Sequence, residues 1–264
     1  MEKNIKLYQS NVLTQARYEL SVMEKRAVYL IIKEVRRKFV LTDEGQRDLF
    51  DDLIIYLNRN ELDESSNKNG DLMYKSLTQL RKRDITINDN DFFLNVGFIN
   101  YSEHKKGEGK IQIQVSNKIL PYLVELSKEY TEYSLTVAIS LKSQWSQRFY
   151  EYCSQFKNTG GFKVSINDLR EKLKIENKYE KYASLKKRVI ETAQKELKDL
   201  YEKGQCDLYF NYSETKMGRS VTDLTFKIIS RTPGEEILSD EDIDYIVRWP
   251  QAKNGTKLPV MSIL

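Results

Sequence analysis

The stretch Asn100-Tyr101-Ser102-Glu103, part of NYSEHKKG, returns 111 residues later as Asn211-Tyr212-Ser213-Glu214, part of NYSETKMG. Upstream, a Tyr-x-Ser-Leu pattern at 74–77 returns at 182–185, an offset of 108 residues. A slip of three residues is what a single loop insertion gives. A repeat of domain size predicts one folding unit used twice in tandem. The alternative is chance identity in a chain rich in lysine and tyrosine.

The surroundings of each copy indicate what the repeated unit is. Each copy follows a basic, helix-like segment and is expected to form the turn before an alternating strand, at 110–115 and at 223–229. A helix-turn-helix followed by a β-hairpin is the order of a winged helix. The expected fold class is therefore α+β, with two tandem winged-helix domains related by internal duplication. We predict a first domain at 1–128, a second at 129–231, and an acidic, flexible tail at 232–264.

Capping signals, apolar periodicity and turn residues place the elements of the first half. Ser21 and Glu24 have the spacing of a capping box, and the first ten residues are expected to be loose. The predicted elements are a helix at 22–37, a buried strand at 53–57, a loop at 65–70, a helix at 71–83, strands at 92–99 and 110–115 that flank a wing turn at 100–109, and a closing helix at 117–128.

The second half reads as a helix-turn-helix with a wing. An aromatic helix at 141–157 precedes a strand at 162–166, a short helix at 167–173 and a long helix at 178–203. Leu185, Val189, Ala193, Leu197 and Leu200 form one apolar stripe of the long helix. The stripe predicts that the opposite, basic face points to solvent or to a partner.

Composition and charge narrow the class of protein. At 264 residues with 40% hydrophobic and 31% charged residues, the chain has room for two cores and has neither a long apolar run nor a secretory signal. Cys153 and Cys206 are expected to be buried, reduced thiols of a cytoplasmic protein. The tail carries six acids and three bases, so the net charge rises from +4 for the chain to +7 for residues 1–231. This excess suggests a polyanionic partner without establishing one.

Several enzyme classes lack the residues that their chemistry requires. His104 is the single histidine, which argues against metal sites of paired histidines, zinc hydrolases and Ser-His-Asp catalysis. The Gly107–Lys110 segment does not have the spacing of a phosphate-binding loop, and Asn88–Asp91 does not continue as a calcium loop. We therefore expect no catalytic residues, no metal and no cofactor.

Several segments of the chain carry a resemblance to a known family. They are Asn11–Leu13, Leu20–Arg26, Ala138–Ser143, Arg148–Tyr152, Val164–Arg170, Tyr179–Tyr182 and Lys187–Ile190. In these segments the chain resembles the iteron-binding plasmid replication initiators, the Rep_3 superfamily, over roughly residues 8 to 230. No single motif is diagnostic alone.

The resemblance implies a plasmid replication initiator that binds directly repeated sequences (iterons) in double-stranded origin DNA. It also implies a homodimer, formed through the first domain, that represses its own gene, contacts with host replication proteins, and origin opening without a covalent step. The second domain would be the main reader of the origin repeats. The second domain would contact DNA through Lys181, Ser184, Lys187, Arg188 and Glu191, with Lys216 and Arg219 in its wing. The first would use Lys75, Ser76, Gln79, Lys82 and Arg83, with Lys105, Lys106 and Lys110 in its wing.

Three other functions remain open at this point. A winged-helix transcriptional regulator without an initiator role would have the same fold and the same basic faces. A nicking enzyme could use one of the 17 tyrosines, although it would need an organised phosphate site around it. A protein-interaction scaffold would use the aromatic segment 145–152 and the acidic tail.

Overall fold

Helices alternate with antiparallel strands in both halves of the chain. The computed structural model describes residues 5–41, 53–58, 61, 70–88, 93–105, 108–124 and 129–231. The elements in chain order are β1 (Lys6–Ser10), α1 (Asn11–Gln15), α2 (Val22–Leu41), β2 (Leu53–Asn58), α3 (Gly70–Leu80), β3 (Asp84–Asn88), β4 (Phe93–Gly97), β5 (Ile99–Glu103), β6 (Lys110–Val115), α4 (Leu120–Val124), β7 (Tyr130–Ser134), α5 (Leu135–Ser140), α6 (Gln144–Phe156), β8 (Gly161–Ser165), α7 (Ile166–Lys172), α8 (Tyr182–Leu185), α9 (Glu191–Glu202), β9 (Leu208–Met217) and β10 (Ser220–Ser230).

Two three-stranded antiparallel sheets share one strand order. In the first half the order is β2-β6-β5, and in the second half it is β8-β10-β9. In both sheets the first strand of the unit pairs with the last, and the last forms a hairpin with the strand before it. A helix precedes each first strand, α2 in one unit and α6 in the other. The two halves therefore repeat one winged-helix topology, as the sequence repeat predicts.

The two copies differ in the segment between the Tyr-x-Ser-Leu motif and the Asn-Tyr-Ser-Glu motif. The first unit has the 11-residue helix α3 and then the hairpin β3-β4, whereas the second unit stays helical up to Glu202. The two units thus fold nearly equal lengths of chain into different elements. The difference of three residues between the two repeat offsets therefore does not come from a single loop insertion. That part of the prediction was wrong, because a sequence offset reports length and not conformation.

Most predicted elements of the first half are confirmed at their cores. The Ser21 backbone N–H donates to Glu24 Oε2 at 2.6 Å, and the Glu24 N–H donates to Ser21 Oγ at 3.3 Å, so the capping box starts α2 as expected. The expectation that the first ten residues are loose was wrong for Lys6–Ser10, because these residues form β1 and pair with β7. The boundary predicted after residue 128 stays a prediction, and β7 lies just beyond it. The tail predicted at 232–264, and all of the loop predicted at 65–70 except Gly70, lie outside the described residues.

The repeated tetrapeptide lies in strands and not in turns. Asn100–Glu103 belongs to β5, and Asn211–Glu214 belongs to β9. Each wing turn therefore begins later than predicted, after Glu103 in the first unit and after Met217 in the second. Polar residues in an exposed hairpin alternate without an apolar period, which is why the sequence pattern favours a turn there.

The two sheets and the helices that cover them enclose one continuous core. Helix α2 is buried along Ala27, Tyr29, Ile31 and Val35, and it contacts α3 and β2. Helix α6 is buried along almost its full length and contacts β7, α1 and α2 as well as α9 and β9. Helix α6 is therefore the element that the two halves share.

Candidate nucleic-acid interface

The second recognition helix is the helical stretch formed by α8, a π-helical turn at Lys186–Ile190, and α9. Leu185, Val189, Ala193 and Leu197 of the predicted apolar stripe are fully buried, and Leu200 is partly buried against the same core. Of the predicted DNA contacts, Lys187, Arg188 and Glu191 are exposed on this helix, Ser184 is half-buried, and Lys181 is the exposed residue before its first turn. The structure thus brings these five residues together on the accessible side.

The π-helical turn was not foreseen from the sequence. Just after it, the hydroxyl of Thr192 in α9 donates to the carbonyl of Lys187 in the turn at 3.2 Å, five residues earlier. A π turn holds one residue more than an α turn, so the residues after it are rotated relative to those before it. The relative directions of Lys187 and Glu191 therefore depend on this turn.

The segment between α7 and α8 is held by one guanidinium. Arg170 donates to the carbonyls of Lys178, Tyr179 and Glu180 at 2.7, 2.6 and 3.1 Å. Lys174 and Tyr179 have φ angles of 56° and 54°, in the left-handed region that side chains disfavour. Three charge-assisted hydrogen bonds hold this conformation and place α8 relative to α7.

The wing of the second unit is a hairpin that extends beyond the third strand of its sheet. Strand β8 pairs with residues 223–227 of β10, whereas the hairpin continues to Met217 and Ser220. Gly218, with φ of 62°, takes the first position of the two-residue turn, where a type II′ turn favours glycine. Lys216 lies just before this turn and Arg219 lies within it, and both are exposed. Their DNA contacts stay a prediction.

Glu214 joins this wing to the recognition helix. Its Oε1 accepts hydrogen bonds from the Tyr182 hydroxyl and from Lys186 Nζ, both at 2.8 Å. The bonds from Lys186 and Tyr182 lower the pKa of the Glu214 carboxyl. Partial burial, together with Glu214, raises the pKa of Tyr182, and the carboxylate raises that of Lys186. All three groups keep their charge states at neutral pH, so the contact is an ion pair supported by a phenol.

In the first winged helix, part of the set predicted for DNA contacts is exposed. Lys75 and Gln79 on α3 and Lys82 after it are exposed. Ser76 is 6% exposed, so its predicted outward position is wrong, because α3 turns this residue with Leu77 toward the core. Arg83 donates to Glu24 Oε1 at 2.8 Å, and the ion pair outweighs burial and lowers the pKa of that carboxyl.

The first wing carries fewer described contacts. Lys105 and Lys110 are exposed, and Lys106 lies outside the described residues. His104 packs on the ring of Tyr74 with centroids 4.5 Å apart, so α3 contacts the wing through these two rings. The histidine is therefore half-buried against the helix and does not lie free at the wing tip.

A buried charged cluster, which the sequence did not predict, lies where α2 meets α6. Lys25 Nζ is 2.7 Å from Glu151 Oε1, and Arg148 Nη1 is 3.3 Å from Glu151 Oε2. The Tyr18 hydroxyl accepts hydrogen bonds from both cations, and Arg148 also donates to the Tyr152 hydroxyl at 2.6 Å. Burial lowers the pKa of Lys25 to about 8, although Glu151 opposes this effect. The sequence signal was present, because Arg148 and Glu151 lie among aromatic residues.

Two exposed ion pairs also connect the halves. Arg17 contacts Glu176 at 2.9 Å, and Lys178 contacts Glu19 at 2.8 Å. Both join the segment before α2 to the turn of the second helix-turn-helix. The position of that turn relative to the first half is therefore set by side-chain contacts as well as by α6.

The cysteines are free and buried, as predicted. Burial raises the pKa of the Cys153 thiol, and it raises the pKa of Cys206 to about 12. In the described part of the chain, no group of three or more His, Cys, Asp or Glu side chains is placed to hold a metal ion. Within the same residues, no helix has the length and apolar character that a membrane span requires.

Fold and exposed basic elements define a tandem winged-helix protein. The family models described as "Initiator Replication protein, WH1" and "Initiator Rep protein, WH2" match residues 6–154 and 165–228. The chain therefore belongs to the family of replication initiator proteins. The WH1 match includes most of α6, in accord with the contacts of this helix to α1, α2 and β7.

Individual relatives are distant. The chain is 26% identical to the PI protein of Escherichia coli over 165 residues, which are 56% of this chain and 52% of that protein, so it spans about half of this relative. It is 23% identical to an uncharacterized 27.6 kDa protein of Escherichia coli over 75% of this chain and 87% of that protein. A crystal structure of Pi initiator protein in complex with iteron DNA shares the fold, with a TM-score of 0.62, 19% identity and coverage of 88% and 99% of the two chains.

Proposed function

We propose that this protein initiates plasmid replication by binding directly repeated sequences in double-stranded origin DNA. The observation that carries the proposal is the second recognition helix, where Lys187 and Arg188 are exposed beside a wing tipped by Lys216 and Arg219. A helix in the major groove with a cationic wing on the flanking backbone is the docking geometry of this class. The initiator family and the iteron complex of the Pi protein support it.

The residues divide into two roles. Lys187, Lys216 and Arg219 supply positive charge for phosphates, which positions the protein but does not specify a sequence. Arg188 is the guanidinium on this face, and a guanidinium can donate two parallel hydrogen bonds to a guanine edge. The first winged helix adds Lys75, Gln79, Lys82, Lys105 and Lys110. Binding energy from both units is spent on distorting the DNA, with no catalytic residue and no cofactor.

Membership of the initiator family also suggests where the protein acts and with which partners. We propose that the protein acts in the cytoplasm, forms a homodimer that represses its own gene, and recruits host replication proteins to the opened origin. Origin-dependent plasmid replication in cells that lack another initiator separates this role from that of a transcriptional regulator. A regulator would bind the same DNA without supporting replication.

The direct test is a fluorescence-anisotropy titration of origin repeats and scrambled duplexes at two salt concentrations. We expect selective binding by the wild type, a steep decrease with salt, and a loss of about 10- to 100-fold in affinity for Lys187→Ala/Arg188→Ala. Lys198→Ala/Lys203→Ala is the matched control, because it removes two exposed cations near the far end of the same helix. Equal weak binding to every sequence, unchanged by the first double substitution, would refute the proposal.

A further inference from the structure

The two repeated sequence motifs meet in the second winged helix. Tyr182, from the Tyr-x-Ser-Leu motif on α8, donates a hydrogen bond to Glu214, the last residue of the Asn-Tyr-Ser-Glu motif on β9. Lys186 donates to the same oxygen, and its Nζ lies 5.9 Å from the ring centre of Tyr212. The motifs therefore form one contact between the recognition helix and the wing, here called the helix-wing lock: Tyr182, Lys186, Tyr212 and Glu214.

The first winged helix contains part of this arrangement. Tyr74 corresponds to Tyr182 and packs on His104, the residue that follows Glu103. The position that corresponds to Lys186 is Thr78, which is exposed. In each unit the tyrosine of the helix contacts a wing residue, His104 in the first and Glu214 in the second, and among the described residues the ion pair across helix and wing is seen in the second.

Lys186 has a particular position in the second recognition helix. It is the first residue of the π-helical turn and directly precedes Lys187 and Arg188. Lys186 is half-buried, whereas Lys187 and Arg188 are exposed. The bond from Lys186 to Glu214 satisfies the ammonium group inside the protein and fixes the start of the π turn to the wing.

We propose that Glu214 is a positioning residue for sequence discrimination by the second winged helix, an inference that rests on the proposed DNA-binding function. Its carboxylate keeps Lys186 from acting as a free phosphate-binding cation. It also fixes the wing relative to the helical turn that carries Lys187 and Arg188. Phosphate contacts strengthen binding to every sequence alike, so a lysine held within the protein favours discrimination over total affinity.

The testing variant is Glu214→Gln in the full chain, which removes the charge and keeps the shape. The fold does not depend on this contact alone, because Gln194 Nε2 also ties α9 to β9 by donating to the Phe210 carbonyl at 3.1 Å. Anisotropy titrations with repeat and scrambled duplexes at several salt concentrations give the selectivity ratio and the salt slopes. We expect Glu214→Gln to bind scrambled DNA more tightly than the wild type does. The dependence of affinity on salt concentration should become steeper by about one released counterion. The ratio of affinities for repeat and scrambled DNA should fall by about two- to fivefold.

Three further variants separate the causes. Glu202→Gln, whose partner Lys198 lies 3.8 Å away at the far end of α9, makes the same charge change without touching the wing and should leave selectivity unchanged. Adding Lys186→Gln to Glu214→Gln should restore the wild-type salt slope. Tyr182→Phe removes a hydrogen bond without a charge and should lower selectivity at an unchanged salt slope.

The outcomes distinguish the lock from the function on which it rests. Selective binding by the wild type together with unchanged selectivity and salt slope in Glu214→Gln would overturn the lock alone. An equal loss of affinity for both duplexes in Glu214→Gln would also overturn it, since that pattern indicates a merely structural role. Absence of selectivity in the wild type would refute the proposed function itself.

Discussion

Replacing Glu151 with glutamine should strongly destabilise the fold. The Glu151 side chain is 0% exposed, and it lies between Lys25, 3% exposed, and Arg148, 6% exposed. Glutamine keeps the shape but leaves an ammonium and a guanidinium buried without their anion. Removing one partner of a buried ion pair costs about 3–5 kcal/mol. Domains typically have about 5–15 kcal/mol in total, so a large share of the stability should be lost.

The assay is urea unfolding of wild type and variant, followed by far-UV circular dichroism and by tryptophan fluorescence. Trp145 lies one turn from Arg148 on α6 and reports on the same region. Glu202→Gln is the matched control, because its ion pair with Lys198 is mostly exposed and should contribute less than about 0.5 kcal/mol. A loss for Glu151→Gln as small as that of the control would refute the assignment of the cluster as a buried, mutually dependent set.

Two further measurements address the buried Lys25 and the tightly packed Gly161. The pKa of Lys25 is lowered to about 8, so between pH 8 and 10 the unfolded chain binds more protons at this lysine than the folded chain. The stability of the wild type relative to Lys25→Met should therefore rise with pH in this window, by at most about 1.4 kcal/mol per pH unit, and parallel curves would contradict it. A Cβ at Gly161 would lie 2.1 Å from the Phe226 carbonyl oxygen, so Gly161→Ala should cost about 1–3 kcal/mol in thermal or urea unfolding. Gly109→Ala, where nothing lies within 4 Å, should change stability by less than about 0.5 kcal/mol.

Repeats and periodicity predicted the architecture because they report properties that both halves share. The capping box at Ser21 and Glu24 located α2, and the apolar stripe from Leu185 to Leu197 located the second recognition helix with its correct buried face. These signals are local in sequence, so no knowledge of distant contacts was needed. The exposure of Lys187 and Arg188 follows from the same period.

The errors concern residues whose environment is set by distant parts of the chain. Lys6–Ser10 forms a strand because Tyr130–Ser134 pairs with it, more than 120 residues away. Ser76 was expected to contact DNA, which requires an exposed side chain, but it is buried in the described fold. Arg148 and Glu151 lie among aromatic residues of α6, and they are buried because Lys25 of α2 and Tyr18, which precedes α2, pack against them.

The free energy of the contacts between the two units, including the buried charged cluster, bears on the proposed origin opening. Smoothly bending a DNA site of 20–30 base pairs costs of the order of 1–6 kcal/mol, and the contacts that join the two winged-helix units would have to resist that load. The exposed pairs Arg17–Glu176 and Lys178–Glu19 contribute at most about 1 kcal/mol each, which is less than the upper part of this range. Helix α6 offers more resistance, because its Phe149 packs on Phe210 and Phe226 of the second sheet while Glu151 is bound to Lys25 of the first unit. The relative position of the two recognition helices therefore depends mainly on α6, and the surface ion pairs adjust it.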